Sequence, residues 1–444
     1  MATASKVQLS TDNQPEYYRS GISKEQAHKV SELLQHNHDN YHIFFHPDGL
    51  HNHVVHHQLA IWALNASPQT LQKAYDKDKQ SQRPKGEVDH AVLEHITNDP
   101  STFTKHLGVR DRYHTFLHFF RNEIHQHGWQ DVLQKFVFAG DERADDMLAR
   151  MYGGFLHPII HLGYGIEFAQ PAIIAEALAQ AACHEAWIAD FLLPADKKAS
   201  ELRSKTPSKS IADLLDEIHD DDKLKVAAHW EDGNKIRDGI IPRAGAEMID
   251  YAAQFHVRTD ELEEKTAEMT NAVCLYTAGA QHPPNIVMYD FYFMHCVNAS
   301  IFFSAFLKQT WLSDANKARL LEWKVRMDLA MFASRRCPDM RLDEIRSYQP
   351  KQPSGWEEIA DRVCQFYDDG HAAKLVRALA HGQKICAPYE DKAHFRVKYD
   401  DWLQMGHMAI DSVENTRRFQ DMPTWIRSAG FEEAWEKIPL RAQL

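Results

Sequence analysis

Residues 51–64 read HNHVVHHQLAIWAL, in which a histidine-rich start runs directly into an apolar segment with the spacing of an α-helix. Apolar residues recur at the same three- and four-residue spacing along the whole chain, whereas strand patterns are sparse. Helix start signals accompany them: Ser23 and Gln26 have the spacing of a capping box, and Ser67-Pro68 is a cap followed by a first-turn proline. The sequence therefore predicts an all-α fold, a large single-domain helical bundle.

The segment 194–210 interrupts this pattern, because it is rich in Lys, Ser and Pro and nearly free of large apolar residues. It is predicted as an exposed connector between an N-terminal half, residues 20–193, and a C-terminal half, residues 211–440. Both halves are expected to belong to one domain spanning residues 1–444.

Composition limits the partners. Fifty basic against sixty-three acidic side chains give a formal charge of -13, which predicts no attraction to nucleic acid. The polar N-terminus lacks a signal-peptide pattern, and no apolar run reaches the roughly 20 residues that span a bilayer. The six cysteines are scattered singly, which favours neither a disulfide framework nor a zinc ribbon. We expect a cytoplasmic protein that acts on small molecules, without a membrane partner.

Histidine is abundant, at 28 positions, and it clusters. In the quoted stretch His53 and His57 stand four apart on one helical face, close enough to bind one metal ion or for one ring to orient the other. The alternative is a polar helix start whose histidines satisfy backbone groups. The literal H-N-H string does not indicate the nuclease of that name, because the chain is acidic and continues as an apolar helix.

A second cluster occupies residues 150–168, RMYGGFLHPIIHLGYGIEF. His157 and His161 again stand four apart, but Pro158 suits a helix start, so His157 is predicted to lie just outside the helix. His161 is therefore the better ligand candidate. Tyr164 and Glu167 are available for hydrogen bonding or proton transfer. The alternative is a glycine-rich helix crossing with satisfied polar groups.

Two further segments each contribute one histidine. His295 lies inside the strongly apolar stretch 290–298, where a buried histidine is more often a hydrogen-bonded core residue. His371 and Lys374 lie three apart on one helical face. A buried neutral lysine adds carbon dioxide to give a carbamate, an oxygen donor much like a carboxylate. The alternative is a lysine that extends to solvent or pairs with Asp368.

Together the four segments supply imidazoles and one oxygen donor from separate helices, as in bundle proteins with a metal site in the core. Such ligands suit iron, with zinc or manganese as weaker candidates. Aromatic side chains are candidates for a flat pocket, although most such residues belong to a core: Phe116, Phe119, Phe120, Phe291, Tyr292 and Phe293.

These four segments, in this order, resemble the questin oxidase-like family of fungal aromatic polyketide pathways. The resemblance covers most of the chain, roughly residues 46–380, and its most specific signal is H-P-x-x-H-L-G-Y-G-x-E-F, beginning at His157. It implies an all-helical oxygenase that opens the central ring of anthraquinones such as questin by a Baeyer-Villiger-type oxidation. It also implies a non-haem iron site made of four histidines and a carboxylated lysine.

The resemblance assigns roles residue by residue. Its metal ligands are His57, His161, His295, His371 and carboxylated Lys374, with His53, His56 and His157 as rivals for the first two places. Independently of the resemblance, we hypothesise that Tyr164 and Glu167 steer proton transfer, because they follow His161 within one or two turns. Ferrous iron and dioxygen are the expected cofactors, and NADPH as an external reductant is left open. The expected partner is a polycyclic aromatic substrate; no oligomeric state is predicted.

Two other functions are compatible with a histidine-rich helical chain. A metal-dependent phosphohydrolase of the helical His-Asp type would use His219-Asp220, although this pair lies in the acidic run 216–222, which is typical of a solvated face. A non-catalytic binder of planar aromatic metabolites would need neither metal nor turnover.

Overall fold

The computed structural model describes residues 1–46, 48–419 and 421–443. In these residues the backbone forms twenty α-helices, and its β-contacts are isolated bridges. The predicted all-α fold is therefore confirmed. No helix in the described part of the chain is both long and apolar enough to cross a membrane.

The chain forms two compact units. The first contains residues 1–189 and 308–312, and the second contains residues 190–307 and 313–444. The prediction of an exposed connector over 194–210 is wrong for its first part, because residues up to Leu202 are helical and bury Ala195 and Ala199. Alanine side chains form the buried face of this helix, and because they are small, the segment contains few large apolar residues from which a helix could be predicted.

In the described residues of the first unit the chain forms nine α-helices. The capping box at Ser23 is present: Ser23 Oγ accepts from the backbone N–H of Gln26, and the Gln26 side chain accepts from the N–H of Ser23. The last two of these helices are apolar on nearly every side and form the centre of the unit. The helices are α1 Lys24–Asn40, α2 Val54–Ala63, α3 Pro68–Asp78, α4 His90–Asn98, α5 Tyr113–His127, α6 Trp129–Phe136, α7 Glu142–Met151, α8 Gly153–Glu167 and α9 Pro171–Cys183.

The second unit is built around three long helices, α14 to α16, whose side chains are buried on almost all faces. A π-helical turn, Lys235–Ile240, precedes α13. The helices are α10 Ala189–Leu202, α11 Ile211–Asp220, α12 Asp222–Ala227, α13 Ile241–Ala252, α14 Leu262–Gly279, α15 Phe291–Leu307, α16 Asp314–Ser334, α17 Leu342–Arg346, α18 Trp356–Gln365, α19 His371–Cys386 and α20 Tyr399–Glu414.

Buried Asp290 fixes the start of α15 in the second unit. One carboxylate oxygen accepts from the backbone N–H groups of Tyr292 and Phe293, and the other accepts from those of Ser428 and Ala429. Burial raises the pKa of Asp290, and Arg335 and these N–H groups oppose that rise. The aspartate thus ties the C-terminal segment to the first turn of α15, which carries His295.

Candidate metal centre

A cluster of buried histidines lies inside the first unit, where the start of α2 meets α8. His53 is the residue before α2, and His157 follows an irregular turn at the start of α8. Their Nε2 atoms are 2.8 Å apart. The Nδ1 of His157 lies 2.6 Å from the carbonyl oxygen of Gly154 and donates to it, which leaves Nε2 of His157 as the nitrogen with the lone pair.

This approach of two Nε2 atoms has two chemical interpretations. With a proton on His53 it is an ordinary hydrogen bond. With both nitrogens deprotonated it presents two lone pairs to one ion, since imidazoles bound at about 2.0–2.1 Å and at right angles have their nitrogens roughly 3 Å apart. Histidines that bind metals characteristically donate their other N–H to a carbonyl or carboxylate, as His157 does.

The turn before His157 has an unusual backbone. Gly154, Phe155 and Leu156 have φ values of 52°, 56° and 70°, so two large side chains adopt the left-handed conformation. A Cβ on Gly154 would lie 2.4 Å from Cε1 of His184 and 2.9 Å from Cε1 of His51, so only glycine fits. The regular helix begins after this turn, at His157, so the prediction from Pro158 that His157 lies just outside the helix is wrong by one residue.

His161 takes part in a different set of contacts. Its Nε2 donates to Glu176 across 2.8 Å, and its Nδ1 lies 3.1 Å from Nε2 of His56. Glu176 also accepts from Nδ1 of His38, at 2.6 Å. Burial raises the pKa of this carboxyl, but the hydrogen bonds from His161 and His38 outweigh it and bring the pKa down to about 2. Glu176 is therefore ionised, and both ring nitrogens of His161 have protein partners.

His57, the other predicted ligand of this unit, pairs with Asp78. Its Nδ1 lies 2.8 Å from Oδ2 of Asp78, and both side chains are buried. A carboxylate at Nδ1 holds the ring in the tautomer with its lone pair on Nε2. The i, i+4 spacing with His53 is present, but His53 contacts His157 while His57 contacts Asp78.

The two predicted proton-transfer residues occupy dissimilar places. Tyr164 is buried, and its ring stacks on that of His56, with centroids 5.1 Å apart and planes 18° apart. Glu167 is half-buried at the end of α8, where one carboxylate oxygen accepts from the backbone N–H of Glu16 at 2.7 Å.

A second pair of histidines lies inside the second unit, on α15 and α19. Nδ1 of His295 donates to the carbonyl of Phe291 at 2.6 Å, and Nδ1 of His371 donates to that of Asp368 at 2.7 Å. Both therefore have Nε2 as the lone-pair nitrogen, like His157. Their rings are 5.4 Å apart, and the Phe291 ring lies 4.7 Å from His295 and 5.2 Å from His371.

Lys374 lies one turn along α19 from His371 and is only 4% exposed. Burial, and after it the charge of Lys374, lower the pKa of His295 to about 3, so that imidazole is neutral as ligation requires. Asp369 adds a carboxylate oxygen within 4.8 Å of a ring nitrogen of His371. Asp369 and Gly370 are left-handed, with φ values of 56° and 76°.

The predicted aromatic pocket residues divide between core and surface. Phe116, Phe119 and Phe120 pack with Phe103 and Phe136 in the core of the first unit. In the second unit Phe293 is fully buried, and the guanidinium of Arg335 lies 3.8 Å from the Tyr292 ring centroid. Phe291 lines a surface cleft.

Sequence reasoning missed the acidic partners of these histidines. Asp78 carries no signal of its role in the sequence, because it lies 21 residues from His57 at the end of a helix with an ordinary amphipathic pattern. Glu176 was missed too, and its signal was visible: it is the one charged residue in the apolar helix Pro171–Cys183. A lone acid in such a helix needs a buried partner.

The donor sets of both units suit a divalent metal. His53 and His157 in the first unit, and His295, His371 and Asp369 in the second, supply imidazoles and a carboxylate, which are ligand types that bind divalent metal ions. The His219-Asp220 pair does not form such a group in the described residues: His219 contacts the backbone carbonyl of Cys337, and Asp220 is exposed.

Comparison with known proteins identifies the family. The model of the questin oxidase-like family matches residues 50–379. A Baeyer-Villiger oxidase of Pestalotiopsis fici is 40% identical over 99% of both chains, and a Baeyer-Villiger monooxygenase of Cryptosporiopsis sp. is 39% identical over 95% of this chain and 96% of its own. The questin oxidase of Aspergillus terreus is 36% identical over 99% and 98%. These names place the relatives among the oxidoreductases, the enzyme class predicted from the motifs. The chain belongs to the questin oxidase-like family.

Proposed function

We propose that this chain is a non-haem iron oxygenase that opens the central quinone ring of a questin- or emodin-type anthraquinone by Baeyer-Villiger-like cleavage, with dioxygen as oxidant. The family and the names of its relatives support the reaction class. The observation that supports a metal site is the shared orientation of the imidazole rings of His157, His295 and His371. Each is buried, and each donates Nδ1–H to a backbone carbonyl, so Nε2 is the coordinating nitrogen.

Among the rival histidines of the first unit, we propose His53 and His157 as ligands in preference to His57 and His161. Their Nε2 atoms already approach each other at the separation that two ligands of one ion need. His161 would have to give up Glu176 or His56 to bind a metal. In this proposal His161 instead holds His56 in place through a hydrogen bond.

Lys374 is proposed as the carboxylated ligand. Burial disfavours an ammonium ion, and the neutral amine can attack carbon dioxide, forming the N–C bond as one proton leaves the nitrogen. The carbamate would replace the positive charge of Lys374 by a negative one near His295 and His371, and burial, the larger cause of the low pKa of His295, would still favour its neutral imidazole. The negative charge of the carbamate would offset part of the charge of a ferrous ion, which supplies the activation of dioxygen when bound.

Proton transfer during ring opening is proposed for Tyr164. Its stacking on His56 connects it with the hydrogen bonds that run through His161 to Glu176. Glu167 is a weaker candidate, because one of its oxygens is used by the backbone of Glu16. Whether NADPH is needed as a reductant is tested by adding or omitting it in the same assay.

Oxygen consumption with questin or emodin as substrate tests the proposal, with the product mass measured under oxygen-18. The iron-loaded chain should take up oxygen and release a ring-opened product that contains the label. His157→Ala and His371→Ala should lose iron, measured by elemental analysis, whereas His219→Asn should retain it. Ring opening by a metal-free preparation would refute the iron mechanism. Unchanged substrate recovered from a fully iron-loaded chain would refute the activity and favour a binding protein.

A further inference from the structure

A surface cleft of about 690 Å³ lies in the second unit, between the C-terminal segment and the start of α15. Three aromatic side chains contribute to its walls, and charged residues stand around them. The lining residues are Trp230, Phe291, Pro423, Thr424, Trp425, Ile426, Arg427, Glu433, Ala434, Glu436 and Lys437. We call it the Arg427 cleft.

The inner wall of the Arg427 cleft is shared with the histidine pair of α15 and α19. Phe291 contacts the rings of both His295 and His371. Trp425, which is 9% exposed, lies with its ring centroid 6.3 Å from that of His371. A molecule held against Phe291 and Trp425 is therefore one side chain away from the two imidazoles.

Arg427 is the residue that would make the cleft favour an anionic ligand. Its guanidinium lies 5.1 Å from the centroid of Phe291, and its side chain is exposed. Within residues 1–46, 48–419 and 421–443, no carboxylate lies within 4.0 Å of it. Lys437, Glu433 and Glu436 also line the cleft. Arg427 is thus a cation against one aromatic wall, as Lys235 is against Trp230, and in the described part of the chain it has no carboxylate within ion-pair distance.

We propose that the Arg427 cleft binds a planar polycyclic phenol in its phenolate form, with the rings against Phe291, Trp425 and Trp230 and the anionic oxygen on Arg427. The aromatic faces favour stacked planar rings, and a guanidinium forms stronger hydrogen bonds to an ionised oxygen than to a neutral one. The choice of a fused-ring phenol rests on the proposed function, whereas the preference for an anion rests on Arg427. The cleft would thus select and orient the substrate beside the histidine pair.

Binding is tested without turnover, under nitrogen, by the quenching of tryptophan fluorescence. The probes are 1,8-dihydroxyanthraquinone and 1,8-dimethoxyanthraquinone, which share a ring system but differ in whether an oxygen can ionise. At a pH where the hydroxyl is ionised, Arg427→Gln should raise Kd for the dihydroxy probe about tenfold, the loss expected for one charge-assisted hydrogen bond. Arg427→Lys should restore most of the affinity.

Matched controls separate this effect from general changes. Lys437→Gln removes a charge from the same cleft and should change Kd by less than about twofold, as for an exposed, screened charge. The dimethoxy probe should bind wild type and Arg427→Gln equally. Trp230→Ala, at a residue that is 39% exposed, should weaken binding of both probes through lost stacking while the chain remains folded.

Equal Kd values for the dihydroxy probe in wild type and Arg427→Gln would overturn the proposal, as would equal losses in Arg427→Gln and Lys437→Gln. The assay distinguishes this proposal from the enzymatic one, since it needs neither oxygen nor turnover. If binding depends on Arg427 but no ring opening occurs, the cleft proposal holds and the oxygenase proposal is wrong. If ring opening occurs but binding does not depend on Arg427, the oxygenase proposal holds and the cleft proposal is wrong.

Discussion

Replacing Gly154 by alanine tests the link between the left-handed turn and the histidine cluster. The residue has φ of 52°, and its substitution brings two separate costs. A left-handed alanine costs about 1–2 kcal/mol relative to glycine. The new methyl group would also overlap the buried rings of His184 and His51, at 2.4 and 2.9 Å, and overpacking of this kind costs about 1–3 kcal/mol. The expected loss in the free energy of unfolding is therefore about 2–5 kcal/mol.

Gly140→Ala provides the matched control. Gly140 also has a positive φ, 73°, but no atom lies within 4 Å of the added Cβ, so it should cost only the backbone term. Urea unfolding of both metal-free variants gives the difference directly, and we expect about 1–3 kcal/mol. Iron content should fall in Gly154→Ala alone, because the carbonyl of that residue orients His157. Equal stabilities of the two variants would refute the steric argument, and full iron in Gly154→Ala would refute the orienting role.

Four further changes have defined outcomes. Glu176→Gln replaces a carboxylate oxygen that accepts a hydrogen bond from a histidine by an NH₂ group, which can only donate. It should lower the free energy of unfolding in urea by about 1.5–3 kcal/mol, whereas Glu167→Gln should leave it nearly unchanged. Asp290→Asn should free the C-terminal segment, seen as faster proteolysis near residue 428, because two N–H groups lose an acceptor. Lys374→Ala should lose iron and, if the carbamate is the missing ligand, regain part of it with added acetate. Burial, and after it the charge of Arg83, lower the pKa of His42 to about 3, so between about pH 6.5 and 3 the unfolded chain binds a proton that the folded chain does not. The free energy of unfolding should therefore fall as the pH drops through this range. His42→Gln should make that fall less steep.

The sequence predicted the features that depend on local spacing. The capping box at Ser23, the helix start near Pro158 and the four histidine-bearing segments follow from patterns within a few residues, and the structure confirms the helices that carry them. Burial of Lys374 is also present, and it excludes the alternative of a lysine extended to solvent. Each of these features is encoded by neighbours along one helix.

The choice among neighbouring histidines is not local. His157 and His161 stand four apart, and spacing alone favours the one inside the regular helix. The structure gives them different partners, because Glu176 of another helix contacts His161, and His53 contacts His157. These contacts arise from packing between segments more than 100 residues apart in one case. A single sequence contains no pattern that reports them.

The two units nevertheless use one device to orient a histidine. In both, left-handed residues precede the first helical turn, and the histidine that follows donates Nδ1–H to the carbonyl three residues back. Gly370 accounts for part of one turn, and aspartate tolerates this conformation, but Phe155 and Leu156 have no local reason to adopt it. Strain of about 1–3 kcal/mol per residue persists only where the surrounding structure enforces it. Since the surrounding packing enforces that strain and the turn holds His157 against the Gly154 carbonyl, this is a place where neighbouring residues along the chain do not determine the backbone.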